Sequence, residues 1–133
     1  MKETIILHQH FNASPEDIYN AWLDSKEHTA MTGGEAECSD KAEGVFTTWD
    51  GYISGRNIKL VPNMEIVQNW RTSEFLEDDE DSVLKIRLSK VKNGTEMTLH
   101  HSNIPEGQLQ YETGWKEHYF EPMTEYFDNK KAN

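Results

Sequence analysis

The chain reads as an α+β domain in which one long C-terminal helix lies across a curved antiparallel sheet of about six to seven strands. Three observations predict this. One strand pattern is followed by two short helical patterns before any second strand. A run of alternating segments separated by turn residues comes next, and the last third carries aromatic residues at helical spacing. A helix with an aromatic underside buries that face against the sheet, and the space between the two is where a cavity is expected.

Glu3 to Phe11 alternates, with Ile5, Leu7 and Phe11 on one face, and reads as the first strand. Ser14-Pro15-Glu16-Asp17 is a helix start: Ser14 caps, Pro15 suits the first helical position, and Asp17 lies three residues past the cap. Ile18, Ala21 and Trp22 form its buried stripe. Ser25 is expected to cap a second short helix, which Gly33-Gly34 ends. Strands over Gly44 to Trp49 and Tyr52 to Leu60 flank Asp50-Gly51, a two-residue hairpin signal. Pro62-Asn63 turns the chain into a strand over Met64 to Thr72. Ser82 to Val91 points Leu84, Ile86 and Leu88 inward and Lys85, Arg87 and Ser89 outward. Asn93-Gly94 then leads into Thr95 to Asn103, where Met97, Leu99 and His101 share a face.

The final helix is predicted from Gly107 to about Lys130, about 24 residues and roughly 36 Å long. Tyr111, Trp115, Tyr119, Pro122, Met123 and Tyr126 fall in one arc, and Phe120 and Phe127 widen it. Pro122 removes a backbone bond near residue 118, so it should bend the helix or end its straight portion.

At 133 residues the chain is expected to be one domain, residues 1–133. Hydrophobic residues make up only 35%, but four Trp, five Tyr and five Phe supply bulky core material. The net charge of -11 argues against nucleic acid, whose phosphates need a basic footprint, and against an anionic membrane surface. Cys38 is the single cysteine, so no internal disulfide forms and a reducing compartment is expected. Met1 to Ile5 lacks a long apolar run, and no stretch is long enough to span a bilayer. The expected location is cytoplasmic.

A set of local motifs carries a resemblance. They are Gly44-Val45-Phe46 with Asp50-Gly51-Tyr52-Ile53-Ser54-Gly55, then Leu60-Val61-Pro62 and Ile66-Val67-Gln68-Asn69-Trp70-Arg71. Asn103-Ile104-Pro105 and Gly114-Trp115-Lys116-Glu117-His118-Tyr119-Phe120 complete it. Together they resemble the START-like helix-grip superfamily (SRPBCC), and within it the homologues of the activator of the heat-shock protein 90 ATPase, over that activator's C-terminal domain. The resemblance covers nearly the whole chain and implies a curved sheet gripping the C-terminal helix over an apolar cavity. It also implies a possible chaperone partner. The eukaryotic activator resembles a two-domain protein whose N-terminal domain does much of the chaperone engagement. No counterpart is expected here, so docking is a more natural expectation than ATPase activation.

The candidate ligand-binding residues come from facing elements: Phe46, Thr48, Gln68, Trp70, Met97, Leu99, His101, Trp115, Tyr119 and Met123. Their inward parity follows from alternation. Gln68, His101 and the Trp and Tyr tips would supply the few polar groups of an otherwise apolar pocket; alternatively all of them fill the core. The expected occupant is a small apolar or amphipathic ligand. His101 has the chemistry of a general base, but no carboxylate sits at a spacing that would orient it, so no catalytic residue is assigned and the chain is read as a non-enzyme, with a cyclase or hydrolase as the weakest alternative. His8 and His10 share a face opposite the core beside His100-His101, and Cys38 has no linked ligand spacing, so neither a metal nor another cofactor is assigned. Glu77-Asp78-Asp79-Glu80-Asp81 lacks the alternating pattern of a calcium loop and reads as a solvated, self-repelling hairpin tip.

Overall fold

A computed structural model describes residues 2–132. Its strands are β1 (Glu3–Phe11), β2 (Val45–Thr48), β3 (Ile53–Val61), β4 (Glu65–Thr72), β5 (Ser82–Val91) and β6 (Gly94–Ile104). They form a six-stranded antiparallel sheet in the order β1-β6-β5-β4-β3-β2. The meander from β2 to β6 is closed on its far side by β1, so the first and second strands are the two edges. Helices α1 (Pro15–Leu23) and α2 (Ser25–Thr32) link those edges. The C-terminal helix comprises α3 (Tyr111–Trp115), a π-helical turn (Lys116–Phe120) and α4 (Glu121–Ala132). The predicted α+β class and element order are those observed.

The helix ends follow from capping chemistry, with one correction. Ser14 caps α1 as predicted, its hydroxyl accepting from the Asp17 amide at 3.1 Å. Ser25, however, does not cap α2. Asp24 does so, its carboxylate accepting from the Glu27 amide at 2.9 Å. The same residue closes α1, donating its amide to Asn20 O at 3.0 Å, so the two helices share one cap. That frees the Ser25 hydroxyl to accept from the Cys38 amide at 2.8 Å and pin the following loop. Gly33 ends α2 at φ 87°, a conformation that a side chain disfavours.

The β2–β3 connection is also wider than a two-residue hairpin. Thr48 pairs with Ile53, so Trp49 to Tyr52 form a four-residue loop, with positive φ at Trp49, Asp50 and Gly51. Trp49 therefore leaves the strand one residue early. Its ring packs over Gly34, where an added Cβ would lie 2.4 Å from the indole. Only a glycine admits the ring there. The β5–β6 turn holds Lys92 and Asn93, with Gly94 already paired to Val91.

The C-terminal helix begins at Tyr111 rather than Gly107. Pro122 neither stops nor simply kinks it. The preceding turn takes in an extra residue, and the Glu121 amide reaches back five positions to Lys116 O. A π turn of this kind absorbs the missing proline donor while the helix continues.

The inner face of the sheet and the helix underside share a core. Ile5, Phe11, Leu84, Ile86, Met97, Leu99, Met123 and Phe127 are buried, and Phe11 meets Phe120 and Phe127 edge-on at 6.2 and 6.0 Å. The acidic segment is more engaged than a free tip: the Asp79 carboxylate accepts from the Leu76 amide at 2.7 Å, and Asp81 pairs with Arg71 at 2.7 Å. Among the described residues, no helix is long and apolar enough to cross a membrane.

Candidate functional site

At the β2–β4 end of the sheet the helix stands off and leaves a cleft of about 630 Å³. Its floor is Ile53 from β3, Trp70 from β4, and Tyr111, Trp115 and Tyr119 from the helix, all buried. Trp49 and Tyr52, from the β2–β3 loop, form one side. The mouth is formed by Gln110, Thr113, Glu117 and His118, all exposed. Gly114 lies along the helix wall, and a Cβ there would meet nothing within 4 Å. The space exists partly because that helix position has no side chain.

The floor is held by ring packing. Trp70 and Trp115 centroids are 5.5 Å apart, Trp115 and Tyr119 4.9 Å, and Trp70 and Tyr111 5.0 Å. Trp49 leans edge-on against His118 at 5.6 Å. The polar tips of Tyr111, Tyr119, Trp115 and Tyr52 are bonded within the protein. The Tyr111 hydroxyl donates to Gln108 Oε1 at 2.7 Å and lies 2.6 Å from Thr72 Oγ1. The Tyr119 hydroxyl lies 3.0 Å from His28 Nε2 and 3.4 Å from Thr48 Oγ1. Tyr52 donates to the Glu74 carboxylate. Burial raises the pKa of Tyr111 and Tyr119, keeping both as neutral phenols.

Behind the floor runs a relay that fixes the tautomer of His101. Trp115 Nε1 donates to His101 Nδ1 at 3.1 Å, so Nδ1 is the acceptor and Nε2 carries the proton. Nε2 then donates to Ser82 Oγ at 2.7 Å, and Ser82 Oγ donates to Trp70 O at 2.7 Å. Burial, with the nearby His100 second, holds the His101 pKa down to about 3. The imidazole is neutral, fully buried and engaged at both nitrogens. It ties helix to sheet through side-chain partners. His28 is likewise engaged at both nitrogens but in the opposite tautomer: Nδ1 donates to Trp22 O at 2.8 Å, Nε2 lies 3.0 Å from the Tyr119 hydroxyl, and burial lowers its pKa.

Every sequence-predicted site residue is buried, yet only Trp70, Trp115 and Tyr119 line the cleft. Gln68 sits in a separate polar chain. It accepts from Trp22 Nε1 at 3.4 Å and donates to Asn57 Oδ1 at 2.8 Å, while Asn57 donates to Ser39 O and Lys41 O. Gln68 and His101 therefore hold the scaffold and do not reach into the cleft. Phe46, Met97, Leu99 and Met123 belong to the packed core, and Thr48 lies against the Tyr119 hydroxyl. The sequence reading missed Trp49, Tyr52, Ile53, Gln110, Thr113, Gly114, Glu117 and His118 as lining residues. Their one available signal was Gly114, a gap in an otherwise aromatic helix face.

Burial, with Asp24 second, pushes the Cys38 thiol up to about 11, so it has no thiolate character at neutral pH. His8 and His10 are exposed on the outer side, as their parity predicted. Among the described residues no three metal-ligating side chains gather.

A curved antiparallel sheet gripping a long C-terminal helix over an aromatic cleft defines the START-like, helix-grip class. Within it, residues 12–128 match the model for Activator of Hsp90 ATPase homolog 1-like protein, and the chain belongs to that family. It is 32% identical over 126 residues to the human Activator of 90 kDa heat shock protein ATPase homolog 1, covering 92% of this chain and 36% of that protein. A Dictyostelium discoideum homologue is 28% identical over 115 residues, covering 86% and 30%. The chain thus spans about a third of the length of these curated relatives. An HSP90 activator from Plasmodium falciparum superposes with a TM-score of 0.83 at 25% identity, covering 95% of this chain and 96% of that one. The Aha1 dimer from Colwellia psychrerythraea, at 19% identity, has a TM-score of 0.77 and covers 95% and 94%; it bears on the fold alone.

Proposed function

We propose that this domain binds a small, largely apolar or amphipathic ligand in the aromatic cleft and does no chemistry on it. The observation that carries this reading is the cleft of about 630 Å³, within the roughly 300–1,000 Å³ of small-molecule sites, floored by aromatic rings, with the polar tips of Tyr111, Tyr119 and Trp115 turned to internal partners. The non-catalytic part rests on His101, which lies outside the cleft lining with both ring nitrogens engaged. Trp70 and Trp115 are built-in reporters. Titration of the protein with a panel of fatty acids, flavonoids, lipids and aryl or alkyl ammonium ions should give a saturable change in tryptophan emission for at least one class. Flat curves across the panel would overturn the reading.

A second reading is favoured by the family itself. Relatives named as activators of the 90 kDa heat-shock protein ATPase match 92% of this chain, which makes docking to a chaperone of that type a natural role for the domain. With a net charge of -11, such docking should weaken as salt is added. A pull-down that recovers no chaperone at low salt removes it.

A further inference from the structure

We infer that the cleft selects an organic cation, an amine or quaternary ammonium with an apolar body, over a neutral or anionic ligand of the same shape. The inference rests on the ligand-binding reading above and adds the sign of the charge. Among the lining residues there is no Lys or Arg, and the one carboxylate is Glu117 at the mouth. Glu74 sits beside the same rim, held by the Tyr52 hydroxyl. The basic side chains nearest in sequence are already paired: Lys116 lies 3.6 Å from Glu112, and Arg71 2.7 Å from Asp81.

The wall is unusual in the same direction. Trp49, Tyr52, Trp70, Tyr111, Trp115 and Tyr119 contribute six aromatic rings to one cleft. Aromatic rings carry negative electrostatic potential on their faces, and groups of them attract ammonium ions that have shed water. A carboxylate reaching the floor of this space loses hydration with no Lys or Arg in the lining to offset it, and the Tyr111, Tyr119 and Trp115 donors there are bonded elsewhere. The whole chain, at -11, adds a field of the same sign. A fatty acid is therefore the wrong amphiphile for the site, and an alkyl or aryl ammonium is the right one.

The test is a matched trio: (2-naphthylmethyl)trimethylammonium, 2-neopentylnaphthalene as its uncharged isostere, and 2-naphthylacetate. Each is titrated into the protein at pH 8, with tryptophan emission and calorimetry as readouts. The ammonium should bind about five- to thirtyfold more tightly than the isostere, and the carboxylate weakest of all. Glu117→Gln should narrow that gap by weakening the ammonium more than the isostere. If the isostere matches the ammonium, or the carboxylate binds best, the charge preference is overturned and ligand binding stands. If none of the three binds, both readings fall.

Discussion

The two ends of the helix–sheet interface use the same elements and reach opposite results. At the α4 end, Phe11, Met97, Leu99, Met123 and Phe127 close the space, and each is buried to within 2%. At the α3 end, rings of comparable size stand around a cleft of about 630 Å³. The difference lies in local features of the chain. Gly114 removes a side chain from the helix face, the Trp49–Tyr52 loop swings a ring out over Gly34, and the π turn before Pro122 resets the helix between the two halves. One end is packed shut and the other is left open around the cleft. Stability in a single core is thus distributed unevenly, as in proteins whose binding regions are drawn from the less packed part.

The largest effect expected from this contrast is at the closed end. Met123→Ala should cost about 2–5 kcal/mol in urea unfolding, since the residue is fully buried and its neighbours collapse only in part. A loss below about 1 kcal/mol would mean that the closed end is not packed as described.

Acid should act next, through the relay that joins the ends. His101 is protonated near its ordinary value in the unfolded chain but only at about 3 when folded, so the unfolded state binds more protons in between. Stability is therefore complete above pH 6.5 and falls as pH drops toward 3. At pH 5 the loss on this account is about 2 kcal/mol, with His28 acting in the same direction. Unfolding of the native protein and of His101→Gln at pH 7 and pH 5 separates the contribution, and equal losses in both would contradict it.

At the open end the sign reverses. Gly114→Ala should stabilise by about 0.5–1 kcal/mol, because the new Cβ meets open space in a helix and restricts the unfolded chain. Destabilisation there would show that the wall has no room. The smallest effect belongs to the surface cluster that fastens α4 to α2. Tyr126 and Lys130 both bond the Glu27 carboxylate at 2.8 Å, and this contact with Lys130 lowers its pKa. With Glu27 31% exposed and Lys130 52% exposed, Glu27→Gln should shift stability by about 0.2–1 kcal/mol, read as a small change in melting temperature.

Most of the fold was legible because alternation and capping are local. β1 and β5 fall on their predicted bounds, and Ser14 caps α1. Where local reading failed, a longer-range contact decided: Asp24 is shared by two helices, and Trp49 leaves its strand to pack over Gly34. The site was legible only in part. Alternation places Gln68, His101 and Leu99 correctly on the inner face but cannot say what stands opposite them. Gln68 and His101 are scaffold hydrogen-bonders, met by Trp22 of α1 and Trp115 of the C-terminal helix, and Leu99 is core. The cleft is defined by what is missing at Gly114 and by a loop conformation, and neither carries a periodicity.

The most direct test of the account is the affinity of a neutral fluorescent probe, N-phenyl-1-naphthylamine, for the native protein and for Gly114→Leu. The native protein should show saturable one-to-one binding with quenched tryptophan emission, and Gly114→Leu should lose that binding while melting at the same temperature or higher. Undiminished binding in Gly114→Leu, or none in the native protein, would contradict it.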